Sequence, residues 1–268
     1  EDRKPVPARV LVDEIFRRNP VTLAYNLFIL GRTSQEAIRA YALQRLGKTR
    51  GIVAFDTLAN ALEDISPLVR RQAAASIGET GLPDAVAPLA RILRDPESDI
   101  RSEAANALGG IGTAEARSAV FEALEDPDPA VRASAVRSLG QFDGTDVDDR
   151  LLEMAKTERH PVAFIALVDA ISARRNLAGV ALILHGRELF ATPRIRKQIL
   201  LSLARMFGAG AVYYSLICRG GERATNDLSK YLKRISRKAS KRDTSDKNGL
   251  AAGVRKLAEA FAMNDTGA

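Results

Sequence analysis

The chain has 268 residues, of which 46% are hydrophobic and 27% charged, a composition typical of a soluble globular protein with ample length for a core. An aromatic content of 5% without tryptophan argues against stacking platforms for bases or sugars. The single cysteine, Cys218, excludes an intrachain disulfide framework and favours a reducing compartment. No apolar run reaches the roughly 18 residues that a membrane-spanning helix requires. We therefore expect a cytoplasmic protein.

The first 33 residues precede any repeat and read as a polar lead followed by helices around 8–18 and 21–30. Such a segment is expected to form an N-terminal helical cap over the open face of the first repeat. The chain begins at Glu1 without an initiator methionine or a signal-peptide profile. We therefore expect it to be a fragment of a longer polypeptide or a processed form.

A period of 31 residues then organises the chain. Apolar residues of a first helix recur at this spacing in three columns, which lie four residues apart and so share one helix face. A leucine-rich second helix follows in each period. The first column is Ile38, Val69, Ile100, Val131 and Val162, the alanine column is Ala42, Ala73, Ala104, Ala135 and Ala166, and the second-helix column is Leu58, Leu89, Val120, Leu151 and Leu182. The pattern predicts an all-α fold, a right-handed α-α superhelix or solenoid of five regular units between residues 34 and 192.

Glycines and charges repeat in the same register. The glycine column follows the last apolar position of each first helix, which predicts left-handed C-terminal caps; it comprises Gly47, Gly78, Gly109 and Gly140. An arginine column (Arg39, Arg70, Arg101, Arg132) accompanies an aspartate column (Asp64, Asp95, Asp126). We expect each arginine to be partly buried and bonded to an aspartate as a structural ladder, with anion binding as the alternative.

The C-terminal third departs from the repeat. A degenerate sixth unit runs from Pro193 to Cys218, with Ile195, Ile199 and Leu203 on its first helix. Residues 219–242 then carry nine basic residues against two acidic ones, so that this segment accounts for the chain's whole net charge of +7. Residues 243–268 are predicted to form a polar break and a terminal helix. The predicted domains are thus 1–33, 34–218, 219–242 and 243–268.

Catalytic and metal chemistry find no support in the residue inventory. The only histidines, His160 and His185, lie in different repeat units, and the chain offers a single cysteine as a further metal ligand. No nucleophile elbow and no phosphate-binding loop occurs. We therefore predict a non-catalytic protein without a cofactor or metal.

The expected partner-binding groove is lined by second helices. Its candidate residues vary in charge from repeat to repeat, as a protein or peptide partner requires, whereas a nucleic-acid groove should be positive throughout. The alternative is a solvated face without a ligand. The candidates are Asn60, Arg91, Arg94, Glu122, Glu125 and Glu153, with Glu63 and Lys156 as neighbours.

The basic segment offers a second candidate site. Leu228, Tyr231, Leu232 and Ile235 recur at helical spacing beside the cationic residues Lys230, Lys233, Arg234, Arg237, Lys238, Lys241 and Arg242. Such a basic amphipathic helix suits an anionic membrane surface. A nucleic acid, an acidic protein and simple packing of the apolar residues on the last repeat are the alternatives.

The repeat motif Asp-x-x-x-x-Val/Ile-Arg-x-x-Ala-x-x-x-Leu-Gly resembles the short HEAT repeats also found in phycobilin lyases. The resemblance covers about residues 34 to 185, although Ala163 replaces the arginine and Ile171 the glycine in the fifth unit. It implies a HEAT solenoid. A chromophore-binding, phycobilin lyase-like protein is the enzyme-class alternative that this resemblance implies.

The flanks resemble cytosolic HEAT domains appended to bacterial membrane carriers of the major facilitator and nucleotide translocator type. The residues that carry this resemblance are 17–23, which lead into the repeats, and 197–214, which end them. It implies a regulatory domain of a transport protein, with the basic segment at the inner face of the membrane. The function expected from the sequence is thus a scaffold for protein–protein interaction, with chromophore binding and nucleic-acid binding as alternatives.

Overall fold

Helices and the turns that join them make up the described structure. The computed structural model describes residues 8–19, 36–48, 52–190 and 192–206, and no residue in these ranges lies in a β-strand. The chain divides into two compact units, Glu1–Phe142 and Asp143–Ala268. The predicted all-α class is confirmed.

The first unit contains eight described helices. After α1 they alternate between the first and second helix of a repeat. They are α1 Ala8–Arg18, α2 Glu36–Gly47, α3 Ile52–Ala61, α4 Pro67–Thr80, α5 Val86–Ile92, α6 Ser98–Ile111, α7 Ala114–Ala123 and α8 Pro129–Leu139, and a 3-10 turn, Pro83–Ala85, precedes α5.

First helices of successive repeats pack directly on one another, α2 on α4, α4 on α6 and α6 on α8. The predicted apolar columns form this core, since side chains one period apart are fully or almost fully buried. The buried column residues include Val69, Ala73, Ile77, Ile100, Ala104, Leu108, Val131, Ala135 and Leu139 of the first helices and Leu58, Leu89 and Val120 of the second. Each repeat therefore covers its apolar face with the next one.

Helix α1 extends this stack at the N-terminal side. It packs on α2, and the Asp13 carboxylate accepts hydrogen bonds from the Tyr41 hydroxyl, at 3.0 Å on Oδ1 and 2.9 Å on Oδ2. The Nε atom of Arg45 lies 3.0 Å from Asp13 Oδ1. The N-terminal cap stays a prediction, because residues 21–30, the other half of it, lie outside the described residues.

The glycine column does not form the predicted left-handed caps. Gly47, Gly78 and Gly109 lie within helices, and the left-handed glycines among the described residues of the first unit are Gly81 (φ 67°) and Gly112 (φ 76°). A Cβ atom at Gly78 would lie 2.5 Å from the Cβ of Ala107 on the next first helix.

The neighbouring column members meet the same constraint. A Cβ at Gly47 would lie 2.8 Å from the carbonyl oxygen of Ser76, and one at Gly109 would lie 2.6 Å from the Cβ of Ser138. Gly140 is right-handed, with φ −58°, so it is not a left-handed cap either. The first three glycines are required because adjacent first helices approach too closely for any side chain.

The second unit contains four described helices. They are α9 Thr145–Thr157, α10 Pro161–Ala173, α11 Val180–Leu189 and α12 Pro193–Met206, with a 3-10 turn, Leu177–Gly179, before α11. Helix α10 packs on α12, and Ile199 and Leu203 are fully buried, as predicted for the first helix of the sixth unit. The second helix of that unit, expected at 212–218, lies outside the described residues.

Val162 is wrongly placed in the apolar column. Its neighbours Ala163 and Phe164 are buried, whereas Val162 is 48% exposed. Helix α10 begins at Pro161, so Val162 is its second residue, whereas the buried Val69 and Val131 are the third residues of α4 and α8. The fifth unit therefore rotates its buried face by one position relative to the preceding repeats.

Candidate partner-binding surface

The arginine and aspartate columns form a ladder within the first unit. Arg70 donates to the carboxylate of Asp95 from Nε at 2.7 Å and from Nη2 at 3.2 Å. Arg101 donates in the same way to Asp126, at 2.7 and 2.9 Å. Arg39 repeats the contact with Asp64 at 3.1 and 2.8 Å. These two-pronged contacts are the geometry that a guanidinium and a carboxylate prefer.

Three arginines of the column also reach the preceding turn. Nη1 of Arg70 donates to the carbonyl oxygen of Asp64 at 3.0 Å, and Nη1 of Arg101 donates to that of Asp95 at 2.9 Å. Arg132 makes the same contact with Asp126, at 2.9 Å. One guanidinium thus links two inter-repeat turns that lie 31 residues apart in the sequence.

The aspartates are held by the backbone as well. Oδ1 of Asp95 accepts the N–H of Glu97 at 3.0 Å, and Asp64 and Asp126 bind the N–H two residues ahead at 2.9 and 2.8 Å. Burial opposes ionisation of Asp95, but the hydrogen bonds from Arg70 and Glu97 outweigh it, so its pKa lies below the usual value. The predicted structural ladder is confirmed, and its charges satisfy one another inside the scaffold.

The six predicted groove residues all lie on second helices or the turns after them, and all are exposed. Five belong to the first unit: Asn60 on α3, Arg91 and Arg94 at the end of α5, and Glu122 and Glu125 at the end of α7. Because equivalent positions of successive repeats face the same way, these residues form rows along one surface. We call the exposed side of α3, α5, α7 and their adjoining turns the second-helix face.

The second-helix face carries exposed charges of both signs. Arg94 and Glu122, on neighbouring repeats, are 84% and 72% exposed, and Nη2 of Arg94 lies 3.9 Å from Oε2 of Glu122. Among the described residues, the face's exposed cations are Arg91 and Arg94 on the central repeat and Lys48 in the turn before α3. The exposed acids among the described residues are Asp56, Glu63, Asp84, Glu97, Glu115, Glu122 and Glu125.

Sequence reasoning missed four of these acids, Asp56, Asp84, Glu97 and Glu115. The missing signal was helical phase, since Asp56 precedes Asn60 by one helical turn and therefore shares its face. With these acids included, the described residues of the second-helix face are acidic overall, although the chain as a whole carries a charge of +7.

The sixth predicted groove residue belongs to the second unit. Glu153 on α9 is exposed, and its carboxylate accepts a hydrogen bond from Lys156 within the same helix. A surface pair of this kind contributes little to stability. Glu153 therefore resembles the first-unit candidates in exposure and differs from them in having its charge matched on its own helix.

The second candidate site lies outside the described residues. It comprises Lys230, Lys233, Arg234, Arg237, Lys238, Lys241 and Arg242. Within the described ranges, no helix is long and apolar enough to cross a membrane, and no group of three or more metal-ligating side chains occurs.

Stacked helical pairs, a shared internal ladder and a variable exposed face define an α-helical repeat protein of the solenoid class. The profile of HEAT repeats matches the sequence over residues 27–109 and 87–172, more than half of the chain. The chain belongs to the HEAT-repeat family.

Similarity to solved structures agrees with this assignment. The complex of CpcE and CpcF of phycocyanin lyase from Nostoc sp. PCC7120 contains a chain with a TM-score of 0.51 and 20% identity, over 97% of both chains. A chain of the Pds5–Scc1 complex has a TM-score of 0.52 and 13% identity, over 95% of this chain and 52% of that one. At such identities the likeness concerns the fold alone. Comparison with curated proteins finds no match.

Proposed function

We propose that this chain is a non-catalytic scaffold that binds a protein or peptide across its second-helix face. The proposal rests on a contrast between the charges that repeat and the charges that vary. The repeated charges, such as Arg101 and Asp126, are paired internally, whereas the charges that vary between repeats, such as Arg94 and Glu122, are exposed. Residues that maintain a repeat keep its register, and residues that recognise a partner vary between repeats.

Site-specific photocrosslinking tests this proposal. A photoreactive amino acid would replace Asn60, Arg91 or Glu122 on the second-helix face, and Gln44 or Glu79 on exposed positions of first helices as controls. We expect one crosslinked protein from the first set alone. That protein, identified by mass spectrometry and purified, should bind Arg91→Glu/Arg94→Glu more weakly than the wild type. Equal crosslinking from both sets would contradict the proposal.

We also propose that the scaffold acts as a cytosolic regulatory domain of a membrane-associated or transport protein. The concentration of the net charge of +7 in residues 219–242 supports this, because cationic and aliphatic side chains together suit an anionic bilayer surface. Co-sedimentation with vesicles containing phosphatidylserine should fall as salt is added. Neutralising Lys230, Lys233, Arg234, Arg237 and Lys238 should abolish it; unchanged binding would contradict this second proposal.

Two alternatives have direct tests of their own. A lyase-like protein would bind an open-chain tetrapyrrole, which an absorbance titration with bilin detects. A nucleic-acid binder acting through the basic segment would shift labelled DNA or RNA in a gel at moderate salt. The fold is shared by proteins of different activities, so it favours neither alternative over the scaffold.

A further inference from the structure

An exposed apolar row lies on the turns that lead from a second helix of the first unit to the next first helix. These turns are residues 63–68, 94–99 and 125–130. We call their exposed side chains the turn edge, and we infer that it docks a protein segment that carries both apolar and basic side chains. This docking surface goes beyond the proposed function and has its own test, although Glu63, Arg94 and Glu125 belong to both surfaces.

Ile65 is the bulkiest member of the row. It is 92% exposed, more than any other large hydrophobic residue in the described ranges, and Leu68, three residues further on, is 46% exposed. Pro96 and Pro127 stand at the equivalent positions of the next two turns, and both are exposed. Exposed apolar residues that group together among polar ones mark a surface that another molecule covers.

The arginine ladder holds this row in place. Nη1 of Arg70 donates to the carbonyl oxygen of Ile65 at 3.3 Å, and the next two ladder arginines donate in the same way to Pro96 and Pro127, both at 3.1 Å. Because Arg70 also binds the carboxylate of Asp95, it fixes two neighbouring turns relative to each other. A surface that is ordered before binding loses less conformational freedom when a partner docks.

The charges around the row favour a basic partner. Four exposed acids lie on the turn edge, and its one exposed cation among the described residues is Arg94, which lies 3.9 Å from Glu122. The four acids are Glu63, Glu97, Asp99 and Glu125. Lysine and arginine side chains of a partner are attracted to these acids, while its apolar side chains cover Ile65. A nucleic acid or an anionic bilayer would bring phosphates against the same acids and is therefore disfavoured.

A phage-displayed library of random 12-residue peptides provides the probe. Peptides would be selected on the full chain and then depleted on Ile65→Pro, so that those retained depend on the Ile65 side chain. This variant gives the first turn the proline spacing that Pro127 and Pro129 have in the third, so we expect it to fold, and circular dichroism checks this. Ile65→Ser, which plays no part in the selection, is the independent variant for the binding measurements.

We expect the retained peptides to combine leucine or an aromatic residue with lysine or arginine. In fluorescence anisotropy titrations, Ile65→Ser should weaken their binding at least about tenfold, because a large apolar side chain is lost from the contact. Glu97→Lys/Asp99→Lys should weaken it about three- to tenfold. Val10→Ser, a change at an exposed apolar residue of α1, should leave it unchanged.

Three results would overturn the inference. They are the retention of no peptide after depletion, the retention of acidic peptides, and binding that survives either Ile65→Ser or Glu97→Lys/Asp99→Lys. All three leave the proposed function untouched, because that function is tested by crosslinking at Asn60, Arg91 and Glu122.

Discussion

Arg101 links two turns through Asp126, which follows its own repeat, and Asp95, which precedes that repeat. Its Nε and Nη2 atoms bind the carboxylate of Asp126 at 2.7 and 2.9 Å, and its Nη1 atom binds the carbonyl oxygen of Asp95 at 2.9 Å. The side chains of Arg101 and Asp126 are 12% and 8% exposed. The Arg101–Asp126 ion pair therefore connects successive repeats and is largely shielded from solvent.

Removing the Arg101–Asp126 ion pair should lower the stability of the fold markedly. Arg101→Ala leaves the carboxylate of Asp126 buried without its guanidinium, and we expect a loss of about 3 kcal/mol in the free energy of unfolding. Arg94→Ala is the matched control, because Arg94 lies at the surface 3.9 Å from Glu122, and its loss should cost less than about 0.5 kcal/mol. Urea unfolding followed by circular dichroism measures both. Similar midpoints for the two variants would contradict the structural role of the ladder.

Acid should weaken the ladder through Asp95. Its pKa is lowered in the folded protein, because hydrogen bonds to the carboxylate outweigh the cost of burial. Its stabilising contribution is therefore present above the unfolded-state value of about 3.9 and is lost as the pH falls through the lower folded-state pKa. Unfolding free energies measured from neutral pH down to acid should show this decline.

The matched variants for the acid experiment are Asp95→Asn and Asp56→Asn. Asp95→Asn should be less stable at neutral pH and should lose less on acidification than the wild type, whereas Asp56→Asn, an exposed change on α3, should follow the wild type closely. An Asp95→Asn profile parallel to that of the wild type would show that Asp95 does not contribute to the acid response.

Gly78 should not tolerate a methyl group. A Cβ there would lie 2.5 Å from the Cβ and 2.9 Å from the Cα of Ala107, so α4 and α6 would have to separate. We expect Gly78→Ala to cost about 1–3 kcal/mol. Gly110→Ala, on α6 with no atom within 4 Å of the added Cβ, should instead stabilise the helix by about 0.5 kcal/mol. Thermal melts distinguish the two, and destabilisation by both would argue against close approach as the cause.

Arg175 offers a stabilising substitution in the second unit. It has φ 53°, a left-handed conformation, and the N–H groups of Arg175 and Asn176 bind the carbonyl oxygens of Ser172 and Ile171 to end α10. Arg175→Gly should raise the free energy of unfolding by about 0.5–1 kcal/mol, because glycine adopts this conformation without strain. Arg175→Ala keeps the Cβ and should give no such gain; equal effects of the two would contradict this explanation.

Local periodicity made much of the fold predictable. Leu58, Leu89 and Val120 are fully buried as their 31-residue spacing predicts, and the pairing of Arg70 with Asp95 follows from two charged columns in one register. The candidate surface was predicted less completely. Helical phase indicates which second-helix residues are exposed, but the net charge of the face depends on every exposed acid, including Asp84 and Glu115, which lie at or before the helix starts.

The sequence by itself determined the helical pairs, their register and the residues that each repeat buries, because these depend on spacing along a single chain. Only the tertiary structure decided the role of the glycines and the side on which Val162 lies. The distance from Gly78 to Ala107 is set by how closely two helices pack, and the exposure of Val162 is set by where α10 begins. Both are relations in space between elements, which a repeated pattern of residue types does not specify.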